Sequence, residues 1–277
     1  MARFPDWLLY GGLIAGVIAV SMLFNASDAP PAPPVAGEDE LGGLLGPATP
    51  FDPAIVVQAP NTTHELTSGT AFSVSGQGLW LTARHVVEGC REAALIVGGG
   101  RAVSAEIRIS RNTDVALLTT EGGPNALPLT PRSDRLRIGA HAYHPGYPQG
   151  RPGEVASRLI GRETLRVRGR GQRDEPVLAW AEIGRTEGLR GTLSGLSGGP
   201  ALDGQGRVLA VTIAEAPRRG RIYTTALESL EDAAEAAAVD QSGQYAPGAI
   251  VNTRNYGTVA DALRRDLRVA QVVCLAR

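Results

Sequence analysis

Between Ile55 and Leu118 the chain divides into six short runs: Ile55–Gln58, Thr70–Val74, Leu79–Thr82, Ala94–Val97, Ala102–Ile109 and Val115–Leu118. Runs of this length suit strands rather than helices. Gly76-Gln77-Gly78 and Gly98-Gly99-Gly100 fall between runs, where a hairpin reverses and the backbone needs conformations that glycine adopts without steric cost. Six strands within about sixty residues is the density of a small barrel. A second set follows: His141–His144, Glu154–Ile160, Thr164–Val167, Val177–Glu182, Pro200–Leu202, Val208–Ile213 and Ile222–Thr225. The 35 glycines and the 5% aromatic content suit such a loop-rich, all-β chain, and 277 residues suit one or two domains with an ample core.

Three segments within this pattern carry chemistry. His85 follows the strand-like Leu79-Trp80-Leu81-Thr82. Asp114 opens the run Asp114-Val115-Ala116-Leu117-Leu118. Ser197 sits inside Gly195-Leu196-Ser197-Gly198-Gly199-Pro200. A serine hydroxyl barely ionises at neutral pH, so a nucleophilic serine needs an imidazole to take its proton. The imidazole needs a carboxylate to fix its tautomer and to stabilise the imidazolium that forms. Glycines beside the serine let the backbone turn sharply and aim N–H groups at a developing oxyanion. His85 or Asp114 alone reads as an ordinary core or turn residue; the three in one order read as a serine hydrolase, a chemistry shared by proteases and esterases.

With Gly69-Thr70-Ala71-Phe72, Thr82-Ala83-Arg84-His85-Val86-Val87 and Gly146-Tyr147-Pro148, these segments resemble the trypsin/chymotrypsin clan of serine peptidases. The likeness is greatest to the bacterial branch that includes the high-temperature-requirement proteases, and it runs from about Pro53 to Ala233. It implies two six-stranded antiparallel β-barrels with the active site in the cleft between them, and a switch between barrels near Pro131–Arg137. It further implies Ser197 as nucleophile, His85 as general base and acid, Asp114 as orienting carboxylate, and an oxyanion hole from the N–H groups of Gly195 and Ser197. The substrate pocket would be lined by Gly191, Thr192, Leu193, Thr212, Ile213 and Ala214. No acidic residue occupies its base in that reading, so a small or medium apolar side chain is expected there rather than Lys or Arg. Leu196 stands where digestive enzymes of the clan carry an aspartate that pairs with a new N-terminus, so activation by N-terminal trimming is not expected. No cofactor or metal is implied; His141 and His144, taken to share one strand face, read as structural. Arg185, Arg190, Arg218, Arg219 and Arg221 flank the pocket segments, either solvated or selecting acidic substrates.

Outside the catalytic region, Trp7–Phe24 is an uncharged run of 18 residues. As a helix it reaches roughly 27 Å, enough to cross a bilayer core. Arg3 precedes it, while Asp28, Glu38, Asp39 and Glu40 follow, which puts the N-terminus in the cytoplasm and the remainder outside. The run exceeds the apolar region of a signal peptide, and the expectation is an uncleaved anchor in a bacterial inner membrane with the catalytic domain in the periplasm. The resulting organisation is an anchor or signal at 1–25, a Pro/Gly-rich linker at 26–50, a protease domain at 51–235 and a short α/β tail at 236–277. From Ser229 onward the chain holds helical segments at Leu230–Val239 and from the start signal Thr258-Val259-Ala260-Asp261, then a strand at Arg268–Leu275. The tail is too short for a peptide-binding PDZ module and is expected to pack back on the first barrel. The chain's two cysteines, Cys90 and Cys274, form a disulfide candidate in an exported protein, against two buried thiols. A net charge of −1 argues against a general nucleic-acid binder. Polypeptide is the expected partner. The competing expectation is a catalytically silent module of the same fold that captures a peptide strand.

Overall fold

Among the described residues there are thirteen strands, and five consecutive ones from the first half close into one barrel with the last. The computed structural model describes residues 41–59, 66–131, 135–169, 171–236 and 248–276. The run Trp7–Phe24 and the start of the linker lie outside them, and among the described residues no helix is long and apolar enough to cross a membrane. In chain order the elements are β1 (Ala54–Ala59), β2 (Leu66–Ser75), β3 (Leu79–Ala83), a one-turn helix α1 (Arg84–Val87), β4 (Cys90–Gly98), β5 (Arg101–Ile109) and β6 (Val115–Thr119). There follow β7 (His141–Gly146), β8 (Gly153–Gly169), β9 (Arg173–Arg185), β10 (Pro200–Leu202), β11 (Val208–Ala216), β12 (Arg221–Thr225), α2 (Leu227–Ala236), α3 (Tyr256–Arg265) and β13 (Val269–Ala276).

The first barrel is not built from the six runs expected of it. Ile55–Gln58 leaves that set: β1 pairs in parallel with the second half of β8, Ile55 opposite Leu165 and Val57 opposite Val167. The sixth strand is β13, antiparallel to both β2 and β4, with Val272 opposite Gly69 on one side and Leu95 on the other. Without β13, β2 and β4 would each present an open row of unpaired N–H and C=O groups. The pairing brings Cys90 and Cys274 together in a disulfide across 184 residues of sequence. The C-terminal segment is therefore a wall of the barrel as well as a tail. Its helices also shift: α2 begins at Leu227 rather than Leu230, and α3 at Tyr256 rather than Thr258. Asn252 and Asn255 fold the approach to α3 into a turn, Asn255 Oδ1 accepting the Asn252 N–H at 2.8 Å and Asn252 Oδ1 the Arg254 N–H at 2.9 Å.

The second sheet runs β1-β8-β7-β10-β11-β12-β9, and pairing of β8 with β9 closes six of its strands into a ring with β1 outside. The two expected strands Glu154–Ile160 and Thr164–Val167 are one, β8. Gly161 does not end it; the register with β9 shifts between Leu159 and Gly161, and the strand continues. Its first half pairs with β7 and its second with β1. Leu159, Leu178, Trp180, Leu196 and Ile222 fill the ring, and the buried Trp180 Nε1–H donates to Thr224 Oγ1 at 2.9 Å. A second core is continuous from Phe72, Leu81 and Leu118 of the first barrel to Tyr143, Val211 and Tyr223 of the second sheet, so the two pack without a solvent layer. The expected linker ends early, because Gly42 and Leu45 donate to the carbonyls of Ile138 and Leu136 at 2.8 Å each.

Candidate active site

The short helix α1 carries His85, and its first N–H groups find their acceptors on Asp114. The residue before the helix, Ala83, has no side chain able to cap it. Instead the Asp114 carbonyl accepts the Arg84 N–H at 3.1 Å and Asp114 Oδ1 accepts the His85 N–H at 2.9 Å. Asp114 Oδ2 lies 2.7 Å from His85 Nδ1. With the Nδ1 proton held by this carboxylate, Nε2 is left as the acceptor. Asp114 is 3% exposed while 41% of the His85 side chain is open to solvent. Desolvation at its inner edge pushes the His85 imidazole down, and the Asp114 charge and hydrogen bond more than reverse this, leaving it above its ordinary value. Burial likewise pushes Asp114 up, but His85 and then Arg173 hold it below the usual carboxylate range.

Ser197 is presented by a loop with its own accounting of N–H groups. From Leu193 to Gly199, five of the seven donate within the fold. Leu193 donates to Glu215 Oε1, Ser194 to Thr192 Oγ1, Leu196 to the Leu193 carbonyl, Gly198 to the Thr212 carbonyl and Gly199 to the Leu196 carbonyl. Those of Gly195 and Ser197 have no acceptor among the described residues. Gly195 has φ +96° and Gly198 φ +88°, conformations that side chains rarely adopt. A Cβ on Gly198 would run into the Thr70 carbonyl and the Thr82 hydroxyl. The loop is therefore pressed against β2 and β3, the strands that lead to His85. Leu196 is buried inside the ring of the second sheet, where an ion pair with a chain terminus has no place.

A small pocket adjoins Ser197, lined by Leu193, Ser194, Leu196, Thr212, Ala214, Glu215 and Ile222. Of the six residues named for the pocket from the sequence, Leu193, Thr212 and Ala214 are in this lining. Ile213 does not: strand alternation turns it into the continuous core. Gly191 is not in the lining either; its carbonyl accepts Arg185 Nη1–H at 3.1 Å. Thr192 acts through Glu215, to which its hydroxyl donates. Glu215, one position beyond the pocket strand read from the sequence, adds an acidic residue to the lining. Two of the five flanking arginines are engaged elsewhere, Arg185 with Glu182 and Arg221 with Glu163. His141 and His144, three residues apart in β7, lie on opposite faces rather than one. His144 is fully buried, with Nδ1 3.0 Å from Thr212 Oγ1 and Nε2 2.7 Å from Ser157 Oγ, and burial pushes it down to about 3. Two further residues at Asp114, Arg173 and Glu175 from β9, carry no local signal in the sequence.

A β-barrel packed on a second β-ring, with a clamped His–Asp pair in the first and a glycine-framed serine in a loop of the second, is the arrangement of a trypsin-like fold. Residues 69–211 match the family of the trypsin-like peptidase domain, and the chain belongs to that family. Its curated relatives include HhoA and HhoB, proteins named as serine proteases in Synechocystis sp. They are 29% identical over 152 residues (53% of this chain) and 28% identical over 177 residues (62%). The chain spans 36% and 40% of the length of those relatives. Among solved structures, the active form of the Rv3671c protease from M. tuberculosis superposes with a TM-score of 0.50 at 22% identity, covering 75% of this chain and 99% of that one, a likeness of fold.

Proposed function

We propose that the chain is a serine endopeptidase that hydrolyses polypeptides through an acyl-enzyme. Ser197 attacks the scissile carbonyl while His85 Nε2 takes the hydroxyl proton. His85 then returns that proton to the leaving amine, and Asp114 holds the imidazole in the required tautomer. The observation that carries this reading is the pair of free N–H groups at Gly195 and Ser197. One is the serine's own and the other lies two residues before it. The other N–H groups from Leu193 to Gly199 are all engaged, which suits this pair to a developing oxyanion. Water enters after amine departure, and the same imidazole activates it. The apolar walls and limited volume of the pocket favour a small or medium side chain before the scissile bond, with Thr212 and Glu215 at its polar side.

The placement of this activity is part of the same proposal: an anchor at Trp7–Phe24 in a bacterial inner membrane, with the catalytic domain in the periplasm. The Cys90–Cys274 disulfide supports an oxidising compartment. The competing reading, a silent module that captures a peptide, has no use for a clamped His–Asp pair.

Labelling with a fluorophosphonate probe, beside Ser197→Ala and with a denatured protein as substrate, tests the proposal. Labelling lost in the variant, with cleavage of the substrate, is the expected result. A folded chain that neither labels nor cleaves supports the binding module instead.

A further inference from the structure

Asp114 is gripped from both barrels. The hold from α1 belongs to its own barrel; the other comes from β9. Arg173 Nη2 lies 3.0 Å from Asp114 Oδ1, Arg173 Nε donates to Glu175 Oε1 at 2.9 Å, and Glu175 Oε2 accepts the backbone N–H of Asp114 at 2.9 Å. The third edge of the guanidinium donates to the Gly171 carbonyl at 3.1 Å. All three side chains are more than nine-tenths buried. A charge in such a place is tolerated only when its hydrogen-bonding edges are matched, and here the match is a closed loop of contacts ending on one carboxylate.

The charges give this loop a consequence beyond packing. With His85 neutral, Asp114, Glu175 and Arg173 sum to −1; when His85 takes a proton the cluster becomes neutral. Proton uptake by His85 thus relieves an excess of negative charge, and Arg173 limits how far that excess goes. Among the neighbouring charged groups, Arg84 of α1 and Glu88, the residue after it, are paired with each other at 2.7 Å.

We propose that Arg173 and Glu175 are positioning residues for Asp114, an inter-barrel clamp that orients its carboxylate and, through it, sets the basicity of His85. This rests on the proposed role of the His85–Asp114 pair. Beyond burial and the Asp114 charge, Arg173 opposes the His85 imidazolium and Glu175 favours it. Burial and the Asp114 charge push Glu175 up from its ordinary value.

The test uses the full chain and the rate of fluorophosphonate labelling from about pH 5 to 9, for Arg173→Met, Arg173→Lys and Glu175→Gln, with thermal melting to establish folding. The acid-side midpoint rises in Arg173→Met and falls in Glu175→Gln, each by at least about 0.3 pH unit. The plateau rate of Arg173→Met drops at least about tenfold through misorientation. Arg173→Lys, which keeps the charge without the fork, returns the midpoint toward wild type while its rate stays low. Should Arg173→Met fail to fold, the other two variants carry the test. Midpoints that stay put, or that move together in folded variants, overturn the clamp. Wild-type chain that does not label removes the proposed function, and this inference with it.

Discussion

Thr70 donates its backbone N–H to the carbonyl oxygen of Ser197 at 2.8 Å. Its hydroxyl donates to the Gly195 carbonyl at 2.7 Å and accepts the Tyr147 N–H at 3.0 Å. One residue of β2 in the first barrel thereby holds both ends of a turn that belongs to the second. Replacing Thr70 with Val keeps the shape and leaves two buried backbone groups unpaired, which costs about 1–3 kcal/mol each. We expect a lower urea midpoint and a labelling rate at Ser197 reduced at least about tenfold, because the Gly195 N–H loses its orientation.

Gly198→Ala tests the fit of the loop against the first barrel. The added methyl meets the Thr70 carbonyl and the Thr82 hydroxyl at a φ of +88°. Strain at such a position costs about 1–3 kcal/mol before any clash is counted. Labelling should be abolished while much of the far-UV circular dichroism survives, since the rest of each sheet does not depend on this contact.

The pH profile follows from His85. Its folded-state value stands above 6.5, so it is protonated and unable to accept the serine proton until pH exceeds that raised value. Labelling should therefore fall on the acid side with a midpoint above that of an ordinary histidine, and Asp114→Asn should reduce the plateau by several orders of magnitude, roughly 10⁴-fold.

Acid stability follows from His144. Its folded value of about 3 lies below the ordinary 6.5, so the unfolded chain binds the proton first. Stability is greatest above pH 6.5 and declines as pH falls toward 3, by about 1.4 kcal/mol per pH unit from this group. Urea midpoints measured across this window should fall more steeply for the wild type than for His144→Gln.

The disulfide and β13 close the first barrel together. Cys90→Ser with Cys274→Ser should cost about 2–5 kcal/mol, read as a lower melting temperature equal to that of reduced wild type. Truncation after Val239 removes β13 and exposes the edges of β2 and β4, so that product should aggregate rather than fold.

Much of this was written locally. Short runs with glycine punctuation specified strands, because a hairpin turn and a strand period depend on neighbours in sequence. The residues His85, Asp114 and Ser197 stood out for the same reason, each with a recognisable local setting. What only the tertiary structure decided was partnership at a distance: that β1 joins β8 rather than the first barrel, that β13 closes that barrel, and that Arg173 and Glu175 reach Asp114. Strand edges accept any strand that satisfies their hydrogen bonds, and a buried charge is matched by whichever residue the fold brings within about 3 Å. Neither preference leaves a mark in the sequence around the partner.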